Sequence, residues 1–326
     1  MSKQLIKDLK EGDFVSTFLQ VEDSNLYSFK NKPGHYAVFS FSDRTGYIKG
    51  VCWERGETYH STVSDGSIVQ VDGRIVTFNK QLQINIDRIE ANPQKEHDPD
   101  DFMAVSPLDP EELFGEIQEA IGRTENPHLK ELLESFFGDE EFAEAFKKCP
   151  AAKSIHHSYL GGLMEHTRNC MRLAETLCEL YPQLNRDMLV SGVLMHDMGK
   201  TVEMSFDTRV DYTDKGKLLG HIVIGQNMIR DKIDAMPDFP EELANEIAHL
   251  IISHHGENST GSPKRPKTAE ACALHFLENL DAQTKRFLQI IEDSSNHLKN
   301  SNWTIYNRLL ERYLYRGPEP EDETQD

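Results

Sequence analysis

The chain has 326 residues, with 35 Lys+Arg against 55 Asp+Glu and a formal net charge of −20. At roughly 100–200 residues per domain this length suggests two or three domains, and 38% hydrophobic with 28% charged residues excludes a disordered chain. No apolar run approaches the ~18–20 residues of a membrane helix, and Met1–Lys10 is too polar for a secretory signal.

The five cysteines, Cys52, Cys149, Cys170, Cys178 and Cys272, are scattered and never form C-x-x-C. That pattern argues against a disulfide framework or a zinc ribbon, and the expectation is a cytoplasmic protein with no membrane partner. The charge is uneven. Residues 1–92 carry 11 basic and 12 acidic groups, 93–150 carry 5 and 16, and 151–326 carry 19 and 27. A nucleic-acid ligand normally wants a basic footprint, so the acidity counts against one, although much of it sits in the middle segment and the tail.

Residues 1–92 read as an all-β domain. Phe14–Val21 is an opening strand, Ala37, Phe39 and Phe41 alternate with Tyr36, Val38 and Ser40, and Tyr47–Trp53 follows the turn at Ser42–Gly46. Ser67–Phe78 contains Gly73, which suggests a bulge or bend. In Gln81–Ile89, Leu82, Ile84 and Ile86 share one face. Five strands in about ninety residues fit a small closed OB-type barrel, with an SH3-like barrel still open, because alternation alone does not separate them.

Prolines and aspartates crowd residues 93–110, which is expected to be a linker. Residues 111–150 form an acidic helical segment with an apolar face at Leu113, Phe114, Ile117 and Ile121, either an interface or a solvated arm. Residues 151–316 read as an all-α domain. Between Ala151 and Tyr315 five or six helices are expected, with breaks at Tyr181-Pro182, Ser205–Gly216, Met236-Pro237 and Glu257–Pro266. Residues 317–326 are an acidic tail.

The fourteen histidines carry the chemistry. His166 follows Gly161-Gly162-Leu163-Met164-Glu165, His196-Asp197 ends the apolar run from Leu189, His221 follows Leu218-Leu219-Gly220, and His254-His255 closes another apolar helix. A lone helical histidine is usually structural. Here, however, several ionisable groups interrupt apolar helices, and burying Asp197 unpaired would cost several kcal/mol. A cation resolves that cost for the whole group, and imidazole with carboxylate suits first-row metals better than magnesium or calcium.

The order H…HD…H…HH…D resembles the HD superfamily of metal-dependent phosphohydrolases. By that resemblance His166, His196, Asp197 and Asp281 bind one metal, and His221, His254 and His255 match the positions of a second, with Asp197 as the bridge. Two cations roughly 3.5–4 Å apart can activate water and neutralise charge on phosphoryl oxygens.

The resemblance extends to His156–Thr167, then H-D-M-G-K at His196–Lys200, Leu219–Ile222, His254-His255-Gly256 and Gly261–Lys264. These stretches are similar to the YhaM family of bacterial 3′→5′ exoribonucleases, which join an N-terminal OB domain to a C-terminal HD domain. The Asp43–Trp53 stretch fits the OB strand pattern of that family. The resemblance implies manganese, with Co2+, Fe2+, Ni2+ or Zn2+ as alternatives, and single-stranded RNA as partner, single-stranded DNA remaining open along with self-association. Two departures are the strong acidity and an apparently enlarged barrel loop at Asn25–Gly34.

Other residues carry paired readings. Lys200 either stabilises charge on a substrate phosphate or is a solvated lysine. His156 and His157 either shuttle a proton or bind phosphate, or only begin a helix. Lys264, Arg265 and Lys267 either clamp an RNA backbone or form a solvated loop. On the barrel, Tyr36, Tyr47, Trp53 and Phe78 are stacking candidates, with Lys49, Arg74, Lys80 and Arg88 for phosphates. Phe39 and Phe41 belong to the core.

The leading expectation is a metal-dependent 3′–5′ exoribonuclease using a metal-activated water. The alternatives are an HD-type phosphodiesterase acting on cyclic or mononucleotides, and a non-catalytic nucleic-acid-binding protein with a structural metal site.

Overall fold

The structure is a computed structural model that describes residues 4–78, 81–91, 101–103, 105–152, 159–206, 210–297 and 301–318. The chain divides into two compact units, one of Met1–Pro107 with Ser205–Asp211, the other of Leu108–Met204 with Tyr212–Asp326.

The first unit holds a closed barrel of β1 (Phe14–Ser28), β2 (His35–Asp43), β3 (Gly46–Cys52), β4 (Ile68–Phe78) and β5 (Gln81–Ala91) in the order β1-β2-β3-β5-β4. β1 closes the ring by pairing with β4 through Phe14–Gln20 and with β2 through Gln20–Ser28, with a register shift between Val21 and Asp23. β3 runs parallel to β5, and every other pair is antiparallel. This is the five-stranded OB topology, which settles the choice against an SH3-like barrel.

Inward positions recur every second residue, as the pleat requires. Val15, Leu19, Ala37, Phe39, Phe41, Val69, Val71, Ile75 and Ile84 are fully or almost fully buried. Phe39 and Phe41 stack with ring centroids 5.5 Å apart. Gly50 makes room for them: a Cβ there would lie 2.5 Å from the Phe41 ring. Gly73 does mark a bulge, since the β4–β5 register shifts between Asp72 and Gly73.

Three features depart from the sequence expectations. A helix, α1 (Gly56–Thr62), sits between β3 and β4 and packs on β1 and β2. The enlarged loop is mostly ladder, because Asn25–Ser28 pair with His35–Val38 and extend the β1–β2 hairpin. Part of the expected linker is also tied down: Phe102 and Met103 are buried, and the Asp101 carbonyl accepts the Arg44 N–H at 3.0 Å.

The second unit is helical. The acidic segment forms α2 (Pro110–Gly122), α3 (Pro127–Phe137) and α4 (Glu140–Lys148), each started by a capping side chain, Asp109, Asn126 and Asp139. Their apolar faces, including Ile117, Leu129, Leu132 and Phe146, are buried, and α2 and α4 pack on α5 (Gly162–Leu180). The segment is therefore part of the helical core, not a solvated arm. A bidentate pair from Arg168 to Glu116, at 2.6 and 2.8 Å, ties α5 to α2.

Next come α6 (Arg186–Met195), buried from Met188 to Met195, and the short α7 (Lys200–Glu203). They are followed by α8 (Asp214–Asp234), α9 (Glu241–Ser253) and α10 (Ala269–His297). The expected breaks fall between these helices, except that Asp214–Gly216, the end of the Ser205–Gly216 break, already belong to α8. Residues 301–316, included in the helical expectation, instead form a small hairpin with bridges Trp303↔Tyr315 and Asn307↔Arg312.

Candidate metal centre and nucleic-acid face

Four chain segments bring the ionisable residues together. His166 lies in the first turns of α5, after Gly161 in the left-handed region. His196 caps the C-terminus of α6 with Asp197 next in the chain. His221 follows a break in α8, where Gly220 has φ 73° and ψ 156°. His254 caps α9 and is followed by His255 and Gly256.

Asp197 is the shared member. Its Oδ2 lies 3.4 Å from His196 Nε2 and 3.8 Å from His166 Nε2. Its Oδ1 lies 3.4 Å from His221 Nε2 and 3.7 Å from His254 Nε2. Two groups with metal-ligating geometry result: His166, His196 and Asp197, and Asp197, His221, His254 and His255.

The imidazoles are aimed by their other nitrogens. The Nδ1–H of His196 donates to the Val193 carbonyl at 2.7 Å, that of His254 to Ile251 at 2.7 Å, and that of His255 to Thr260 at 3.0 Å. His221 Nδ1 donates to Glu203 Oε1 at 3.2 Å. Each contact selects the tautomer whose Nε2 carries the lone pair, the form a metal binds.

His166 donates from Nδ1 to Asp281 Oδ2 at 2.7 Å, so its Nε2 faces that of His196 at 3.3 Å. Two lone pairs at that distance need a proton or a cation between them. Asp281 thus stands apart from the other expected ligands. It groups with His166 and Cys170, accepts from Asn169 Nδ2 at 3.1 Å, and in this geometry orients His166.

Asp197 Oδ1, His221 Nε2 and His254 Nε2 are buried without a hydrogen-bond partner. Leaving such atoms unsatisfied costs about 1–3 kcal/mol each. All three converge on one point, and neutral imidazoles around a carboxylate are the donor set a divalent cation takes. The residues therefore fit a metal.

Electrostatics keep most of the donors in their ligating forms; His196 is the exception, because burial works against its charge but the Asp197 carboxylate raises its pKa above the ordinary value. Burial pushes His254 well below the usual histidine range, with the neighbouring His196 and His255 adding to it. Burial likewise takes His255 to about 4. Burial alone would raise Asp197, but Lys200 and His196 outweigh it and hold the carboxyl well below its ordinary value.

Lys200 is not a solvated lysine. Its Nζ bonds Asp197 Oδ2 at 2.6 Å with the side chain 12% exposed. Burial works against its charge, yet Asp197 holds its pKa above the ordinary value.

Sequence reasoning missed two acids at this centre. Glu203 accepts both the backbone N–H and Nδ1 of His221. Glu278 on α10 is pushed up to about 7, by burial first and then by the Asp197 charge. Neither sits in a recognisable motif, and only the fold brings them in. His156 and His157 lie outside the described residues.

In the loop before α10, Lys264, Arg265 and Lys267 are exposed. Arg265 pairs with Glu257 at 2.6 Å, and the Lys267 backbone N–H donates to His249 Nε2 at 2.8 Å.

On the barrel, a groove of about 360 Å3 gathers Tyr36, Lys49, Trp53 and Phe78 from three strands or their ends, with Tyr27 and Leu82 beside them. The Tyr36 and Trp53 rings are 4.9 Å apart, Tyr27 stacks on Tyr36 at 5.6 Å, and Phe29 lies 5.4 Å from Tyr36. Tyr27 and Phe29 were not singled out from sequence, since both fall in the stretch read as a loop. Tyr47 is 76% exposed outside this groove. Arg74 is exposed opposite Phe14 and Asn85, and Arg88 pairs with Glu90 at 2.9 Å. Lys80 lies outside the described residues.

An OB barrel joined to a helical unit with this His/Asp centre defines the class, an HD-domain protein carrying a nucleic-acid-binding fold. The HD domain family matches residues 163–283, and the OB-fold nucleic acid binding domain family of the tRNA anti-codon type matches 19–91.

The relatives span nearly the whole chain. The 3′-5′ exoribonuclease YhaM of Shouchella clausii (strain KSM-K16) is 32% identical over 291 residues, 88% of this chain and 89% of its own. That of Geobacillus sp. (strain WCH70) is 34% identical over 313 residues, 94% and 93%. The chain belongs to the YhaM family. Among solved structures, the second OB-fold domain of replication protein A from Methanococcus maripaludis matches 29% of this chain and 99% of its own at 21% identity and TM-score 0.25, and adds nothing to that assignment.

Proposed function

We propose that the protein is a metal-dependent 3′–5′ exoribonuclease that hydrolyses single-stranded RNA, with single-stranded DNA as a second polymer it accepts. The observation that carries the hydrolase is Asp197, a buried carboxylate with one oxygen turned to each of two imidazole groups. Polarity and substrate follow from likeness to relatives that bear that activity as their name.

In this reading two ions are held, one by His166, His196 and Asp197, the other by Asp197, His221, His254 and His255. Manganese is the proposed metal, and the same donors accept cobalt, iron, nickel or zinc. A divalent ion there supplies Lewis acidity and lowers the pKa of water, so that hydrolysis runs near neutral pH.

The chain's own residues do the rest. Asp281 and Glu203 hold His166 and His221 in orientation. Lys200 keeps a positive charge beside Asp197, where it can also balance a phosphoryl oxygen. On the barrel, Tyr36, Trp53 and Phe78 stack bases while Lys49 meets a phosphate, a mode that tolerates any sequence.

The test is digestion of a 5′-labelled single-stranded RNA with added Mn2+, with a chelator and the Asp197→Asn protein as controls. A ladder shortening from the 3′ end, absent in both controls, is the expected result. Intact RNA together with turnover of a mononucleotide or cyclic dinucleotide would replace this reading with a small-nucleotide hydrolase.

A further inference from the structure

The hairpin at residues 301–316 has no part in either site described above. It is held by Thr304 N–H to the Leu314 carbonyl at 2.9 Å, Arg316 N–H to Asn302 at 2.8 Å, and Asn307 N–H to Arg312 at 2.9 Å. Asn307 Oδ1 shapes its turn by accepting the Leu309 and Leu310 N–H groups at 3.1 and 2.9 Å. An isolated two-stranded hairpin is marginal in water and needs a packed face. One face has it, because Thr304 and Leu314 are buried.

Alternation then sends Trp303, Ile305, Tyr313 and Tyr315 to the other face, with Tyr306 and Leu309 towards the turn. These six side chains are between 47% and 72% exposed. They form an ordered surface, in which Trp303 meets Tyr315 at 5.1 Å and Tyr306 meets Tyr313 at 5.2 Å, both edge to face.

We propose that this face of the hairpin is a self-association surface, and that its occupant is a second copy of this chain. Two observations support that occupant. The six residues leave on the order of 700 Å2 uncovered, above the largest apolar patch of ordinary monomers and close to the ~800 Å2 each partner gives to a specific interface.

The composition is that of a protein interface, with Trp and Tyr as anchors and Ile305 and Leu309 among them. Ile305 and Leu309 add aliphatic surface of the kind a protein partner buries.

A second copy of this chain is present wherever the hairpin is and at the same concentration, and the uncovered area is what one partner of a dimer contributes.

The experiment is the mass in solution of the full-length chain, by light scattering on a sizing column at tens of micromolar, for wild type and for Ile305→Asp/Leu309→Asp. The expected result is a wild-type mass at a multiple of 37.3 kDa and a double variant shifted to 37.3 kDa, with an unchanged circular dichroism spectrum. Leu309→Lys alone, at the exposed turn, should weaken association at least tenfold, and it replaces the double variant should that one fail to fold. A monomeric wild type overturns the proposal, as does a variant that folds and keeps the wild-type mass. A variant of unchanged mass that loses RNA affinity would also overturn it, and would make the hairpin an RNA contact instead.

Discussion

Asp197 divides its two oxygens between two sets of imidazole nitrogens, so replacing it with its own amide removes charge from both at once. The Asp197→Asn protein should fold, because the isostere fills the same volume. It should lose RNA hydrolysis by roughly 10²–10³-fold or more, read as the rate of shortening of a labelled strand at saturating Mn2+. Rate retention within tenfold would remove Asp197 from the mechanism.

The histidines give a second expectation, in pH. An unperturbed imidazole titrates near 6.5, whereas burial holds His254 well below that and His255 at about 4. Lowered values favour the neutral, metal-accepting form, so the ion on His221, His254 and His255 should survive as pH falls through 6.5, whereas the ion on His166 and His196 should leave earlier, because Asp197 raises the pKa of His196 despite its burial. The same shifts mean that the unfolded chain binds protons the folded chain refuses in that window. The melting temperature of the metal-free protein should therefore fall as pH falls from about 6.5 towards 4. Elemental analysis after dialysis across this range checks the first, and thermal melts check the second. Loss of both ions together at pH 6.5 would show that burial does not protect His254 and His255.

Among the elements, α7 and α8 meet through glycine. A Cβ on Gly199 would lie 2.1 Å from the His221 carbonyl oxygen and 2.6 Å from Gly225 N, so Gly199→Ala must push apart the two segments that carry Asp197 and His221. It should cost about 1–3 kcal/mol and weaken metal binding about 10–100-fold, measured by melting and by metal titration. Gly115→Ala on α2, where the added Cβ meets open space, is the control and should be neutral or mildly stabilising.

On the barrel, Trp53→Ala removes a ring that stacks beside Tyr36. It should lower affinity for single-stranded RNA by about 1–3 kcal/mol, roughly 5–150-fold, while hydrolysis of a small phosphodiester stays unchanged. Equal losses on both substrates would place Trp53 in the stability of the fold.

The strands were legible because Ala37, Phe39 and Phe41 recur at every second position, and the ligands because His166, His196 and Asp197 interrupt apolar helices. Short-range pattern did not show α1, whose seven residues are mostly polar. It also hid the β1–β2 extension, where neither face of Asn25–Ser28 is buried. The C-terminal hairpin was misread because Ile305 and Leu309 stand four apart, as on one face of a helix. Glu203, Glu278 and the role of Asp281 depend on distances through space that no local spacing encodes.

At the scale of the whole molecule, the acidity limits how nucleic acid is held. Residues 1–92 are nearly neutral, with 11 basic and 12 acidic groups, and of the basic candidates among the described residues only Lys49 lines the groove. Binding should therefore rest on stacking more than on phosphate neutralisation. The slope of log K against log salt should be only about −1 to −2 for single-stranded RNA, measured by anisotropy between roughly 50 and 300 mM. A slope near −5 would reveal a basic track outside this groove.

The Nδ1 contacts at the metal centre have a consequence of another kind. Because backbone carbonyls and carboxylates already set each ring, loading an ion requires no ring flip. Ions of similar size then compete by their affinity for these donors and by their supply. The metal content of the isolated protein becomes a gauge of which divalent ions its surroundings supplied.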